Sequence, residues 1–333
     1  MRKEIGSEFW DVPLSNKENG IFSENVAWFL SGRSALCAII ADAKNKRNVK
    51  KVYLPSWCCD SMILPFLKNG IEVKFYPVYF DAGKLIQEIP EVEEDEMILV
   101  LDYFGYSLGS EKVKGEGVVI RDVTHSVFSK SYNDADYYFG SLRKWCGFLT
   151  GGFAVGVSSP ILEADECYIN MRRQAMKEKA EYICGESDNK GYLSVYAAAE
   201  DLLDKYTVSG ADKNDILLAS KVDVSFLKER RRSNASLLLE AFSDVAVFNS
   251  LGDDDCPLFV PIVLPEGERD ELRRFLISHK IYCPVHWPIS ELHVLDQKTD
   301  SVYKRELSLV CDQRYDIEDM SRIIETVNEF YKR

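Results

Sequence analysis

The stretch KVYLPSWCCDSMILPFLKNGIEVKFYPV, residues 51–78, decides how the rest of the chain is read. KVYLPSW is a β-branched and aromatic run ended by Pro55, DSMILPFLKNG is helical and stops at Gly70, and EVKFYPV is strand-like again. Strand, helix and strand in that order make a βαβ unit, the building block of a mostly parallel sheet. Upstream, the segment VAWFLSGRSALCAIIADAKN passes from Ala27, Trp28, Phe29 and Leu30 through Gly32 into an Ala/Leu/Ile-rich helical run, with Ser34 a plausible N-cap. Downstream, MILVLDYF (97–104), VVIRDV (118–123), DYYFGSL (136–142) and GGFAVGV (151–157) continue the series of short strands. The expectation is an α/β fold with a mostly parallel sheet of about seven strands and helices on both faces.

Beyond the sheet the pattern becomes helical and charged from Pro160 to about Tyr206, with EADECYINMRRQAMKEKAEYI and YLSVYAAAEDLLDKY as the clearest helices. A long helix, VSFLKERRRSNASLLLEAF, leads into the strands VAVFN and PLFVPIVLP. The helix GERDELRRFLISHK, the strands IYCPVHW and LSLVCD, and a last helix IEDMSRIIETVNEFYKR follow, making a smaller C-terminal α+β domain. The expected division is an N-terminal arm at 1–22, a large domain at 23–208, a linker at 209–215 and a small domain at 216–333.

The 333 residues include 41 Lys and Arg against 54 Asp and Glu, a formal net charge of −13, so the global field repels phosphate backbones and argues against nucleic acid as a partner. Hydrophobic residues at 46% leave ample material for a core. Nine cysteines, including the adjacent Cys58 and Cys59, fit a reducing compartment better than a disulfide framework. With four histidines and no CxxC spacing, a metal site has little support, and no stretch reaches the roughly 18 apolar residues a membrane span needs. The expectation from these features is a cytoplasmic protein with no membrane partner.

Three motifs fall at strand ends or helix starts, where open α/β sheets bind ligands. SGRSAL (31–36) would offer backbone N–H groups around Gly32, the Arg33 guanidinium and the Ser34 hydroxyl to a phosphate; an ordinary capped helix would look the same. RDVTHS (121–126) ends an apolar strand in Asp122, a carboxylate able to hold a protonated ring nitrogen, with His125 three positions on; a packed core histidine is the alternative. SLRKW (141–145) sets Lys144 beside Arg143, where desolvation and a neighbouring cation can make an amine nucleophilic, with Ser141 able to reach the same phosphate as Ser34; taken alone, the lysine would be a solvated surface residue.

In that order the motifs resemble the fold-type I pyridoxal-phosphate enzymes, most closely the DegT/DnrJ/EryC1/StrS aminotransferase family, over nearly the whole chain. SGRSAL is similar to the family's S-G-T-x-A-L turn, residues 52–78 to its V-x-x-P-x-x-T strand, helix and strand, and RDVTHSVFS to its E-D-A-A-Q-x-x-G segment. The resemblance implies pyridoxal 5'-phosphate as cofactor, Lys144 as the Schiff-base lysine that is base and acid in turn, Asp122 as the pyridinium partner and His125 in place of the family's Gln. It implies Gly32, Arg33, Ser34 and Ser141 around the phosphate. Ser141 stands three residues before the lysine, whereas the family's usual position, five before, is Phe139. The position of the aromatic that covers the cofactor ring in the family falls at Cys59, which leaves Trp57 or His125 to stand in for it. His286, Trp287 and Arg314 lie where the small domain approaches substrate, and Arg314 could grip an anion; each could equally be structural. The family's G-x-N-x-R segment is missing. The triple arginine at 230–232 reads as a solvated helix face, and Cys58 and Cys59 read as semi-buried packing residues.

The implied activity is transfer of an amino group from an amino acid, glutamate by resemblance, to a keto-sugar nucleotide or a related small carbonyl compound, in a homodimer. Another fold-type I reaction, such as a lyase or an acyl-CoA condensing synthase, would use the same Lys144 and Asp122. A cofactor-binding protein without turnover is the remaining alternative.

Overall fold

A computed structural model describes residues 4–22, 25–81, 83–107, 112–129, 134–157, 162–205 and 207–333. In chain order its first half contains β1 (Ile5–Gly6), β2 (Ala27–Phe29), α1 (Gly32–Lys46), β3 (Lys51–Pro55), α2 (Asp60–Lys68), β4 (Glu72–Tyr76), β5 (Val78–Asp81), β6 (Lys84–Gln87), β7 (Glu96–Leu101), β8 (Val118–Asp122), β9 (Tyr137–Ser141) and β10 (Gly152–Val155). The second half contains α3 (Glu166–Cys184), α4 (Tyr192–Leu203), α5 (Lys213–Ser220), α6 (Val224–Ala241), β11 (Phe259–Val263), α7 (Glu268–Ser278), β12 (Ile281–Tyr282), α8 (Gln297–Arg305), β13 (Glu306–Val310) and α9 (Ile317–Tyr331).

Seven strands form the central sheet in the order β2-β10-β9-β8-β7-β3-β4. The pairs from β9 through β4 are parallel, whereas β10 runs antiparallel to both β9 and β2. β7 is apolar apart from Glu96 and buried throughout, as a strand covered on both faces requires. The βαβ unit of residues 51–78 forms as expected: β3 and β4 pair in register from Lys51–Glu72 to Pro55–Tyr76, and Gly70 follows α2 at φ +70, a conformation L side chains resist. Leu36, Ile39, Ile40 and Ala43 make the buried stripe of α1, spaced for one helix face, and pack it onto β9 and β10.

The C-terminal unit departs from the sequence reading in detail. β11 and β13 pair antiparallel, but the expected strand at 245–249 contributes only a single bridge from Ala246 to Ile262. IYCPVHW pairs only through Ile281 and Tyr282, against β1 of the N-terminal arm, and Pro284 has no N–H with which to extend the ladder. The stretch 209–215, expected as a linker, is built into the fold: Gly210 bridges to Phe29 and Ala164, Asp212 caps α5, and that helix already includes residues 213–215. A single buried apolar cluster runs from Val52 and Ile98 in the central sheet to Leu307 and Ile323 in the C-terminal unit, so the two halves share a core. The β5–β6 hairpin was not anticipated.

Candidate active site

The carboxyl ends of the parallel strands converge on the start of α1. Ser31, not Ser34, is the N-cap: its hydroxyl accepts from the Ser34 N–H at 3.2 Å, because the helix begins at Gly32 and Ser34 already lies in its first turn. The Ser34 hydroxyl is turned away to the Thr207 carbonyl at 2.7 Å. First-turn N–H groups have no partner inside a helix, so those of Gly32 and Arg33 are free to meet an anion. The approach is tight. A Cβ on Gly152 would lie 2.2 Å from the Ser31 carbonyl, and only a glycine in β10 lets the turn sit there. Ser141, buried at the end of β9, borders the same turn, with its Cβ 3.6 Å from where one would stand on Gly32; its hydroxyl makes no capping bond. The Arg33 guanidinium, expected at the phosphate, lies instead 3.6 Å from both Glu200 and Asp204.

Asp122 ends β8 between Leu101 of β7 and Phe139 of β9. Its Oδ1 accepts the Thr124 N–H at 2.8 Å. Burial pushes this carboxyl up to about 7, the Thr124 bonds and the Lys144 amine opposing and the Asp102 charge reinforcing the shift. Such a group wants a cationic hydrogen-bond donor, and a protonated pyridine nitrogen is one. Arg121, on the opposite face of β8, is fully buried and answered by Asp102 at 2.5 Å and Asp134 at 2.6 Å. Burial also pulls His125 down to about 3, with Lys144 adding to the effect, so its ring is a neutral imidazole. The ring stacks near Trp287 at 5.7 Å and 23°, and its Nδ1 accepts from the Phe104 N–H at 3.4 Å.

Lys144 follows β9 in a short 3₁₀ turn and is exposed. Its charge contributes to the shifts of Asp122, Cys59, His125 and His286. Cys59 is the residue just before α2, its thiol raised by burial, with Sγ 2.8 Å from the Ser61 hydroxyl. Trp57 cannot cover a ligand ring: it is fully buried, stacked on Tyr103 at 4.9 Å and 8°, and its indole N–H donates to the His286 carbonyl.

Lys144 and His286 also border a cleft of about 630 Å³ between the N-terminal arm, α4 and the C-terminal unit. The Arg314 fork, expected to hold an anion there, is filled. It donates to both Asp312 oxygens at 2.9 and 2.8 Å and to the carbonyls of Ser7 and Glu8, each at 3.1 Å. Sequence reasoning missed Glu200, which meets Arg143 at 2.5 Å and draws Arg33 and Arg172 towards α4; nothing in YLSVYAAAEDLL distinguishes it from an exposed helix carboxylate. Arg231, read as solvated, is fully buried over Trp145 at 4.5 Å and bonded to Gln313 and the carbonyls of Pro257 and Leu258. Among the described residues there is no cluster of metal-binding side chains and no helix long and apolar enough to cross a membrane.

A seven-stranded mixed sheet with this order and a C-terminal α+β unit has the architecture of the fold-type I transferases, and solved structures bear this out. PseC of Helicobacter pylori, an aminotransferase involved in the biosynthesis of pseudoaminic acid, superposes with a TM-score of 0.62 at 14% identity, covering 98% of this chain and 100% of that one. The sugar aminotransferase CalS13 of Micromonospora echinospora gives 0.60 at 16% identity, with 92% and 87% covered. A DegT DnrJ EryC1 StrS aminotransferase of Brucella abortus gives 0.58 at 16% identity, with 92% and 86% covered. No family model matches the sequence, and no curated protein is similar to it. The likeness is one of fold.

Proposed function

We propose that this protein is a pyridoxal-phosphate-dependent aminotransferase. The observation that carries the reading is the buried Asp122 carboxyl, held at the strand end under the influence of the Lys144 amine, beside the open N-terminus of α1. These residues fit the cofactor chemically. The N–H groups of Gly32 and Arg33 and the Ser141 hydroxyl would bind the phosphate, Asp122 would accept the ring N–H, and neutral His125 would lie against the ring without competing for its charge. Lys144 would hold the aldehyde carbon and, once displaced by the amino donor, would carry the substrate α-proton away and return it. When bound, the cofactor supplies the sink for the electrons left at that carbon.

The finer reading is glutamate as donor and a keto-sugar nucleotide, or a related small carbonyl compound, as acceptor, in a homodimer. Fold neighbours described as sugar aminotransferases support it, as does the cationic Arg273 along the cleft. The test is the visible spectrum of the purified protein, followed by borohydride reduction and mass spectrometry of the peptides. We expect a yellow protein whose reduced adduct maps to Lys144, a Lys144→Ala variant without the band, and bleaching of the band by glutamate. A colourless protein that takes up no added cofactor would overturn the assignment. A yellow protein that glutamate leaves unchanged would overturn the donor alone.

A further inference from the structure

We infer that Glu306, Ser308 and His286 form a proton relay that ends in the cleft beside Lys144 and takes the proton from the incoming ammonium group of the amino donor. The inference rests on the aminotransferase reading. Glu306 and Ser308 lie two apart on β13, hence on one face of the strand, and both are fully buried. The Ser308 hydroxyl donates to Glu306 Oε1 at 2.5 Å, and the same hydroxyl lies 2.9 Å from His286 Nδ1. While Glu306 is ionised the Ser308 proton is given to the carboxylate, so that oxygen accepts from Nδ1–H and selects the Nδ1–H tautomer. The second carboxylate oxygen accepts the His286 N–H at 3.0 Å, so Glu306 holds both the backbone and, through Ser308, the ring. His286 Nε2, on the opposite edge, makes no hydrogen bond among the described residues, and the ring forms part of the cleft wall that includes Lys144.

Amino acids arrive as ammonium ions, and only the free amine can displace Lys144. The step balances without any further reagent. The ammonium proton passes to His286 Nε2, the Nδ1 proton passes to Ser308, and the Ser308 proton passes to Glu306. The donor becomes a free amine, the carboxylate a carboxylic acid, and the imidazole ends neutral with its tautomer exchanged. Within the chain, burial pushes Glu306 up to about 7 and holds His286 well below its ordinary range, so of the two the carboxyl stores the proton and the ring conducts it. The charged and titratable groups that face the chain are Lys144 and His125 towards His286, and Arg269 and Cys283 towards Glu306.

Two measurements test the relay. In protein labelled with ¹⁵N-histidine, the imidazole nitrogens report the tautomer directly, whether or not cofactor is bound, and His286→Gln assigns the signal. We expect a neutral ring across about pH 5.5–8.5, Nδ1–H above about 7 and Nε2–H below it. Ser308→Ala should abolish the exchange while leaving the Glu306 contact to the backbone. A ring that keeps one tautomer throughout, or that becomes a cation, overturns the relay even if the protein is yellow. In the holoenzyme, bleaching by glutamate should slow as pH falls through about 7, because protonated Glu306 can accept nothing further. Glu306→Gln should lose that limb and run roughly 100-fold slower above it, and Glu306→Asp should restore part of the rate. If the Gln variant does not fold, Ser308→Ala reads the same limb. Either variant retaining the limb at a rate within about threefold of wild type overturns the relay, whereas a colourless wild type refutes the aminotransferase reading and leaves the tautomer experiment to decide the chain of bonds.

Discussion

Asp122 is buried where a carboxylate can scarcely keep its charge, and its titration therefore enters the stability of the cofactor-free protein. Its pKa rises to about 7 on folding, so between the ordinary carboxylate value and about 7 the folded state binds the extra proton. Stability from this group is complete at the acid end and falls as pH rises through that window, by up to ~1.4 kcal/mol per pH unit. Denaturant unfolding should show wild type losing ground to Asp122→Asn from about pH 4 to 7, and parallel curves would refute the burial argument. The Asn variant should still bind cofactor but lose most of its turnover. At this scale the motifs SGRSAL, RDVTHS and SLRKW were locatable in the sequence, because each sits at a strand end or a helix start that local pattern can find. What a side chain does once there was less legible. Arg33 turns to Glu200 and Asp204 and Ser34 to the Thr207 carbonyl, partners from distant parts of the chain, while Arg314 is consumed by Asp312 two residues away.

Among elements, the junction of β10 with the start of α1 carries the site. Gly152→Ala would drive a Cβ to 2.2 Å from the Ser31 carbonyl, so either the strand or the helix start must move. A loss of about 1–3 kcal/mol in denaturant unfolding should accompany weaker cofactor binding; an unchanged midpoint would mean the contact yields freely. Six of the seven sheet strands, all but β2, were legible because continuous apolar runs such as MILVL and the two periods within residues 51–78 are local signals. The β5–β6 hairpin was hidden by its closeness to β4, from which Pro77 alone separates it, and the stretch at 245–249 has a strand's composition but finds one partner residue. In the same way 209–215 has the composition of a linker but is caught between β2 and Ala164.

For the molecule as a whole, the N-terminal arm is bound to the far end of the chain. Ile5 pairs with Ile281, Arg314 stacks on Phe9 at 3.9 Å, and Glu4 serves Lys179 and Lys190 at 3.8 and 2.8 Å. Arg314→Ala leaves the buried Asp312 without its partner and frees the arm; we expect a cost of about 3–5 kcal/mol in denaturant unfolding. Full stability in this variant would assign the clasp no weight. On the proposed homodimer, sedimentation equilibrium should return twice the chain mass of 38.0 kDa, and a single-chain mass at working concentration would count against it.

The clasp also sets an order of events at birth. The Gly6 N–H donates to the Tyr315 hydroxyl, 309 residues away. At typical synthesis rates the second of these emerges roughly 15–60 s after the first. Throughout that interval the nascent polypeptide cannot complete the wall of the cleft, and residues 5 and 6 must wait unpaired for partners still to be translated.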